Sequence, residues 1–368
     1  MGIGDVPRTG DWARSPDGAT FRTALDATLA TFLDGQASLL APLGPDADRL
    51  LAETRTAVAG GKKFRAAFCH WGFRAVQPRL SEADDAWLMR ACGSLELLHA
   101  SALAHDDLMD ASDTRRGRPA THRALEGEHR AAGWRGDPEQ YGAAAAILLG
   151  DLLQGWADEL LRRCGFGWDR VGPALEVFDL CRTEVIAGQF LDVSVQARGR
   201  ADVDAAMTVL RYKSAKYSIE RPLHVGAALA GASPDVLTTL TGFGLPLGEA
   251  FQLRDDLLGV YGDPTTTGKP AGDDLVEGKR TVLVALALDA APPADADLLD
   301  RSLGTPLEAD EVERLREVID ASGAHARVEA MIAELASTAV AALDRAGLDP
   351  HATDVLRGLA AAVTQRVV

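Results

Sequence analysis

Long apolar runs and a signal-type N-terminus are missing from this sequence. No uninterrupted apolar stretch approaches the roughly 20 residues that cross a bilayer. The N-terminus also lacks the charged start and apolar segment of a secretory signal. We therefore expect a soluble, cytoplasmic protein without stable membrane insertion.

Positive charge is also scarce. The chain has 38 Lys and Arg residues against 54 Asp and Glu residues, for a formal net charge of −16. An acidic chain is a poor general binder of nucleic acids or anionic membranes. Any basic cluster that faces an anionic ligand must therefore be local.

The cysteines are few and widely spaced, and none forms a CxxC pair. The four are Cys69, Cys92, Cys164 and Cys181. Isolated cysteines of this kind are typical of reduced, buried thiols in a cytosolic protein and not of a disulfide framework.

Alternating β-branched runs are absent, which makes a sheet unexpected, and Ala, Leu, Glu and Arg recur with a helical period. Helices are predicted over residues 22–42, 46–58, 63–77, 82–110, 138–164, 168–197, 203–231, 233–262, 279–290, 308–321, 323–346 and 350–366. The segments 111–137 and 262–278 are polar interruptions, and 291–307 is expected to be a surface linker. We expect a flexible leader over 1–20 and one all-α domain over 21–368.

The helix predicted over 82–110 ends in a carboxylate cluster. His99, Asp106 and Asp110 share one helix face at i, i+7 and i+11, and Asp107 lies beside them. Carboxylates at a helix C-terminus repel one another and oppose the helix dipole, so the cluster costs stability unless a cation is present. Oxygen ligands favour a hard ion such as Mg²⁺, which bridges to substrate phosphates.

A second cluster closes the helix predicted over 233–262. Gln252, Asp255 and Asp256 fall within one turn, and Lys269 follows in a glycine-rich loop. Two acidic helix ends, each followed by a basic glycine-rich loop, suit a polyphosphate held by several metal ions between them.

Each feature alone has a plainer interpretation. An Asp-Asp pair at a helix end is usually a solvated patch, and Lys62 after two glycines is explained by a helix start. His99 alone is more often a core histidine, and Lys213 alone a solvated charge. The combination of the clusters with Arg115 and Arg116 favours a functional site.

The combined motifs resemble the polyprenyl synthetase family, the trans-isoprenyl diphosphate synthases, and within it the bacterial geranylgeranyl diphosphate synthases. The matching segments, which lie in family order between about residues 55 and 285, are GGKKFR at 60–65, LLHASALAHDD at 97–107, DDLMD at 106–110, RRG at 115–117, GQFLD at 188–192, FQLRDD at 251–256 and GKPAGDD at 268–274.

The resemblance implies an isoprenoid synthase-type helical bundle around a central cavity, usually a homodimer. It implies head-to-tail (1'-4) condensation of isopentenyl diphosphate with an allylic diphosphate (dimethylallyl, geranyl or farnesyl) by Mg²⁺-assisted ionisation. Three Mg²⁺ ions are expected in each active site.

The resemblance also implies roles for individual residues. The Mg²⁺ ligands are expected to be Asp106, Asp110 and Asp255. The other members of the catalytic set are Asp107, Lys213, Gln252, Asp256 and Lys269. The allylic diphosphate is expected to contact Arg115, Lys213 and Lys269. The isopentenyl diphosphate is expected to contact Lys62, Arg65, His99 and Arg116. The reacting region is expected to be lined by Gln189, Ser214 and Gln252.

The chain departs from the family pattern in the second motif. Where the family commonly has DDxxD, this chain has DDLLG, so Gly259 removes one carboxylate. Asp263 lies one turn further on and is expected to compensate partly if the helix persists. Ser214 replaces a more common Thr and keeps the hydroxyl group.

Residues before the first motif predict the product length. Ser101 and Ala102 are both small, so neither would stop the growing chain at C15, and Leu98 and Leu95 are expected to form the floor. We expect geranylgeranyl diphosphate (C20), with farnesyl diphosphate and longer polyprenyl diphosphates as the alternatives.

Two other functions share parts of this pattern. A class I terpene cyclase has a similar cavity but does not need the basic residues Lys62, Arg65 and Arg116. A non-catalytic synthase subunit is expected to lose its aspartate clusters, and only Gly259 points that way. The sequence favours a catalytic synthase.

Overall fold

The computed structural model describes residues 18–199, 202–263 and 272–364, and it confirms the all-α prediction. The α-helices are α1 Ala19–Leu40, α2 Pro45–Val58, α3 Phe64–Val76, α4 Glu82–Met109, α5 Thr121–Ala132, α6 Pro138–Arg162, α7 Trp168–Arg198, α8 Val203–Val209, α9 Arg221–Leu229, α10 Pro234–Tyr261, α11 Asp273–Val276, α12 Val282–Ala290, α13 Pro293–Ser302, α14 Ala309–Ala321, α15 Ala324–Asp344 and α16 Pro350–Thr364. A short 3₁₀ turn, Ala41–Leu43, joins α1 to α2.

The helix predicted over 203–231 contains a change of helical type. Between α8 and α9 the backbone follows a π-helix over Leu210–Glu220. Long π-helical stretches are rare and frequently occur at functional sites. This π segment carries Lys213 and Ser214, two of the predicted site residues.

Two segments that the sequence assigned to loops contain regular structure. The 111–137 stretch holds the antiparallel strands β1 Thr114–Arg115 and β2 Arg118–Pro119, followed by α5. The buried face of α5 includes His122 and His129, so it lacks the aliphatic pattern that predicts a helix. The 291–307 stretch holds α13, which begins at Pro293.

The two helices that end in carboxylate clusters are core elements. Ser81 and Ser233 cap the N-termini of α4 and α10 and accept hydrogen bonds from backbone N–H groups of the first turn. One face of α10 packs in a hydrophobic cluster around α3, α4, α6 and α7, and another packs against α12, α14 and α15. Both carboxylate clusters therefore project from rigid, buried helices.

Helix α10 ends at Tyr261, and Gly262 is extended, with ψ 145°. The helix does not persist to Asp263, so that condition for compensation at Gly259 is not met.

All four cysteines are buried and free, as predicted. Residues 1–17 of the expected leader lie outside the described residues, and α1 begins at Ala19. The assignment of 21–368 to one domain stays a prediction.

Within the described ranges, none of the helices combines the length and apolar character that a bilayer crossing requires.

Candidate active site

A cavity of about 1100 Å³ collects most of the predicted site residues. Its walls come from the start of α3, the C-terminal halves of α4, α7 and α10, the π segment and the segment around α11. The predicted residues on its walls are Lys62, Arg65, His99, Ala102, Asp106, Arg115, Arg116, Gln189, Lys213, Ser214, Gln252, Asp255 and Asp256. Lys269 lies outside the described residues.

Close backbone contacts position the π segment between α7 and α10. A Cβ atom on Gly188 would lie 2.3 Å from the backbone nitrogen of Lys213, and one on Gly248 would lie 2.4 Å from the backbone carbonyl oxygen of Ala215. Only glycine allows this approach without displacing backbone. The contacts align Gln189 and Lys213 with the first carboxylate cluster.

Asp106 lies on the cavity wall within a network of cations. Its carboxylate is 3.1 Å from Lys213 Nζ and accepts a 2.9 Å hydrogen bond from Gln189 Nε2. Lys213 also donates to Asp192 at 2.6 Å. Burial alone would raise the pKa of Asp106, but the charges of Lys213, Lys279 and Arg115 lower it to about 2. Asp106 is therefore ionised at neutral pH.

Asp107 contacts the site through Arg115 and does not line the cavity itself. Its buried side chain accepts hydrogen bonds from Arg115, including 2.8 Å from Nε to Oδ1. Charge-assisted pairing to a carboxylate fixes the plane of a guanidinium group. Asp107 thus orients Arg115, which lies on the cavity wall.

Asp110 ends α4 and pairs with a lysine that the sequence analysis missed. Its side chain is only 3% exposed, and its Oδ2 atom lies 3.4 Å from Lys279 Nζ but accepts no hydrogen bond from the residues that the structure describes. Lys279 also lies 3.5 Å from Asp274 and 2.5 Å from Glu277. The position of Lys279 a few residues after the GDD sequence at 272–274 was the available signal.

Both members of this pair have raised pKa values. Burial, together with the charge of Asp106, raises the pKa of Asp110 to about 6. Burial opposes the charge on Lys279, but Asp274, Glu277 and Asp110 raise the pKa of Lys279 well above its ordinary value. Lys279 is therefore a fixed positive charge between the ends of α4 and α10.

The second cluster is linked to the π segment through hydrogen bonds. Ser214 donates to Gln252 Oε1, and Gln252 Nε2 donates to Asp256 Oδ1 at 2.8 Å. Burial raises the pKa of Asp256 to about 8, despite the hydrogen bond from Gln252. Asp256 positions Gln252, and Asp255 lies beside them on the cavity wall.

A basic pocket forms a separate part of the cavity wall. It consists of Lys62, Arg65, His99 and Arg116. Arg116 donates to the Ala59 carbonyl at 2.8 Å, and Arg65 donates to Ser218 Oγ at 2.7 Å.

Tyr217, which the sequence analysis also missed, joins two of these groups. The Arg65 guanidinium lies 4.3 Å from its ring centroid, and His99 Nδ1 is 2.5 Å from its hydroxyl oxygen. Burial, reinforced by the charge of Arg65, lowers the pKa of His99 well below its ordinary value. The imidazole is therefore neutral at neutral pH.

The loop that presents Lys62 is braced by its neighbour Lys63. Lys63 has a left-handed φ of 55°, and its ammonium donates to the Val58 carbonyl at 2.6 Å. It also lies 3.5 Å from Glu96, whose side chain accepts from Ala66 N at the start of α3. These contacts hold the end of α2, the loop and the start of α3 in one arrangement.

The residues expected to limit product length differ in their position relative to the cavity. On α4 the cavity wall is formed by Glu96, His99, Ala102, Leu103 and Asp106. Ser101 and Leu98 are buried in the helix packing away from this wall. Each residue advances a helix by about 100°, so Ser101 lies about 140° round from Asp106, whereas Ala102 lies about 40° from it.

The oxygen donors around the cavity fit a hard divalent ion. Asp106 and Asp255 face the cavity, and within the described ranges no group donates a hydrogen bond to the buried Oδ2 of Asp110. Among the described residues, no group of three or more His, Cys, Asp or Glu side chains is already gathered for a metal. Mg²⁺ characteristically takes only one or two carboxylates and completes its shell with water and substrate phosphate.

The pKa of Asp256 predicts a pH dependence of folding stability without metal. Its pKa of about 8 in the folded protein exceeds the unfolded value of 3.8. Between pH 3.8 and about pH 8 the Asp256 carboxyl is therefore protonated in the folded state and ionised in the unfolded state. Stability from this group is lost as pH rises through that window, by about 1.4 kcal/mol per pH unit. Asp256→Asn has no carboxyl group to ionise at this position and should not show this loss. Urea unfolding in EDTA at about pH 5 and about pH 7.5 will show a smaller decline in the free energy of unfolding for the variant than for the wild type.

The exposed Asp297 on α13 provides the control for this experiment. Asp297→Asn should keep the wild-type pH dependence. An Asp256→Asn variant whose unfolding free energy changes with pH as much as that of the wild type would contradict the assignment.

Comparison with known proteins agrees with this geometry. The polyprenyl synthetase family model matches residues 48–321. A geranylfarnesyl diphosphate synthase from Aeropyrum pernix is 32% identical over 269 residues, which is 72% of this chain and 77% of the relative. A (2E,6E)-farnesyl diphosphate synthase from Mycobacterium tuberculosis is 31% identical over 304 residues, 80% of this chain and 79% of the relative.

A solved structure is similar over nearly the whole chain. It is the crystal structure of a geranylgeranyl pyrophosphate synthase from Corynebacterium glutamicum, complexed with isoprenyl diphosphate and magnesium. The two share 38% identity with a TM-score of 0.91, and the match covers 99% of this chain and 100% of that chain. With the matched family model and the cavity described above, the chain belongs to the polyprenyl synthetase family, the trans-prenyl diphosphate synthases.

Proposed function

We propose that this protein is a Mg²⁺-dependent geranylgeranyl diphosphate synthase that condenses isopentenyl diphosphate head-to-tail with an allylic diphosphate. The observation that carries the proposal is one cavity that combines carboxylates from two helix ends with a separate basic pocket. Two diphosphates can then be bound in different ways and held side by side, which the condensation requires.

The allylic diphosphate is assigned to the carboxylate side of the cavity. Arg115, Lys213 and Lys279 are oriented there by Asp107, Asp106 and Asp110, respectively. When the allylic C–O bond breaks, negative charge develops on the leaving diphosphate. Preorganised cations stabilise that charge as it forms, without further reorganisation of the site.

Mg²⁺ supplies Lewis-acid stabilisation of the same leaving group when it is bound. We assign its protein ligands to Asp106, Asp110 and Asp255 and propose three ions per active site, with phosphate oxygens and water completing each shell. Asp256 and Gln252, joined by a hydrogen bond, position the α10 side of the site.

The basic pocket is assigned to isopentenyl diphosphate. Lys62, Arg65 and Arg116 neutralise its diphosphate without a metal ion, and arginine donates in a planar fork that suits phosphate. His99 is neutral, so it adds a hydrogen bond and no further charge. A terpene cyclase has no second diphosphate to bind, so this pocket favours elongation.

The small Ala102 side chain supports a C20 product. It lies on the cavity wall one helical turn before Asp106, and one turn rises about 5.4 Å, which is close to the length of an isoprene unit. The relatives are named for products of different lengths, so the length proposed here depends on this wall.

We also propose a homodimer. Ile186, Phe190 and Val193 lie at i, i+4 and i+7 on α7, and all three are exposed, Phe190 by 74%. An exposed apolar stripe of this kind is typical of a protein–protein interface. Gln189 and Asp192, which lie beside this stripe on α7, line the cavity.

Incubation with Mg²⁺, isopentenyl diphosphate and an allylic primer tests the proposed activity. We expect elongation to geranylgeranyl diphosphate, detected by chromatography of the dephosphorylated products. Asp106→Asn should lower turnover by about 100-fold or more, because it removes the carboxylate that orients Lys213 and faces the metal. Asp297→Asn, on the exposed face of α13, serves as the control. Failure to elongate the C5, C10 and C15 primers alike would sink the proposal.

Ala102→Phe tests the product-length assignment. The ring should block the wall one turn below the reacting centre, so the main product should shorten from C20 to C15. Ala102→Ser, which keeps a small side chain, should still give C20. The product distribution measures the effect, and an unchanged C20 product from the Phe variant would show that another wall sets the length.

A further inference from the structure

Gly259 marks the place where the second aspartate motif departs from the family pattern, and the structure places another carboxylate there. A Cβ atom on Gly259 would lie 1.9 Å from Asp274 Oδ2 and 2.3 Å from its Cγ. The Asp274 carboxylate therefore occupies the volume into which any side chain at position 259 would extend.

Asp274 is held in this place by its own backbone and by a lysine. It is the second residue of α11, its carbonyl accepts from Lys279 N at 2.9 Å, and its side chain is 14% exposed. Its Oδ1 lies 3.5 Å from Lys279 Nζ. The carboxylate thus points to α10 one turn after Asp255, as an aspartate at position 259 would.

The same ammonium group also faces the first carboxylate cluster. Asp110 Oδ2 lies 3.4 Å from Lys279 Nζ. The Asp110 side chain is only 3% exposed, and no described residue donates a hydrogen bond to this oxygen. One cation therefore bridges the end of α4 and Asp274. The positive charge of Lys279 offsets the repulsion between these two carboxylates.

Asp263 does not take this position. It also lies on the cavity wall, but it follows the end of α10 at Tyr261. The volume next to Gly259 is filled by Asp274.

We infer that Asp274 supplies to the second aspartate motif the carboxylate that α10 lacks at position 259, and that Gly259 provides the space for it. The inference rests on the proposed Mg²⁺–diphosphate site. It predicts that filling the space at 259 displaces Asp274, so restoring an aspartate there does not simply add a ligand.

Calorimetric titration of the protein with inorganic diphosphate in the presence of MgCl₂ tests this inference, because it measures binding without turnover. Gly259→Ala adds no charge but competes with Asp274 for space, so Mg²⁺-dependent diphosphate binding should weaken by roughly tenfold. Asp274→Asn, nearly isosteric, should weaken it by a similar factor. Gly242→Ala on the same helix is the control, since its Cβ would meet only Ala342 Cβ at 3.4 Å.

A double-mutant cycle decides whether the two residues share one position. In the Asp274→Asn background, Gly259→Ala should have no further effect on binding. Gly259→Asp combined with Asp274→Gly should recover affinity relative to Asp274→Gly alone, because the carboxylate then comes from α10. Circular dichroism checks that each variant is folded.

Additive losses in the cycle, or wild-type binding by folded Gly259→Ala and Asp274→Asn, would overturn the inference. These outcomes are separable from failure of the proposed function. A wild-type protein that binds Mg²⁺ and diphosphate but elongates no primer would overturn the proposed synthase activity and leave the cycle interpretable.

Discussion

The site depends on cations that offset the repulsion between carboxylates at the ends of two core helices. Repulsion between Asp106 and Asp110 at the end of α4 is offset by Lys213 and Lys279, which come from other elements. Removing one partner from such a buried pair leaves an uncompensated charge and costs several kcal/mol. The charged network therefore ties α4 to the π segment and to the residues after α10, and it preorganises cations where a leaving diphosphate would gain charge.

Backbone packing makes this network possible. Glycine contacts at Gly188 and Gly248 let the π segment lie directly against α7 and α10. The same segment presents Lys213 to the carboxylate side and Tyr217 to the basic pocket. One irregular helix thus contacts both proposed diphosphate sites, and π-helical geometry is frequent at functional sites.

Sequence motifs predicted much of the fold and of the candidate site, because helical periodicity and clustered carboxylates are local signals. The end of α4 was predicted at residue 110 and occurs at Met109, and Arg116 lies on the cavity wall. Tyr217 was missed because its partner His99 is distant in the sequence. Lys279 has the nearby partners Asp274 and Glu277, but its contact with Asp110 joins segments that are far apart in the sequence. The roles of Ser101 and Ala102 in setting product length stay predictions, because which of two adjacent helical positions faces the cavity depends on how α4 is rotated in the packed core.

The central claim is that the cavity binds two diphosphates by different means, one with Mg²⁺ and one with basic side chains alone. Titration of isopentenyl diphosphate in EDTA tests this claim most directly. The account predicts measurable binding without metal, weakened by roughly tenfold in Arg116→Gln and unchanged in Arg118→Gln, which alters an exposed arginine of β2. Binding of isopentenyl diphosphate only in the presence of Mg²⁺, with no effect of Arg116→Gln, would contradict it.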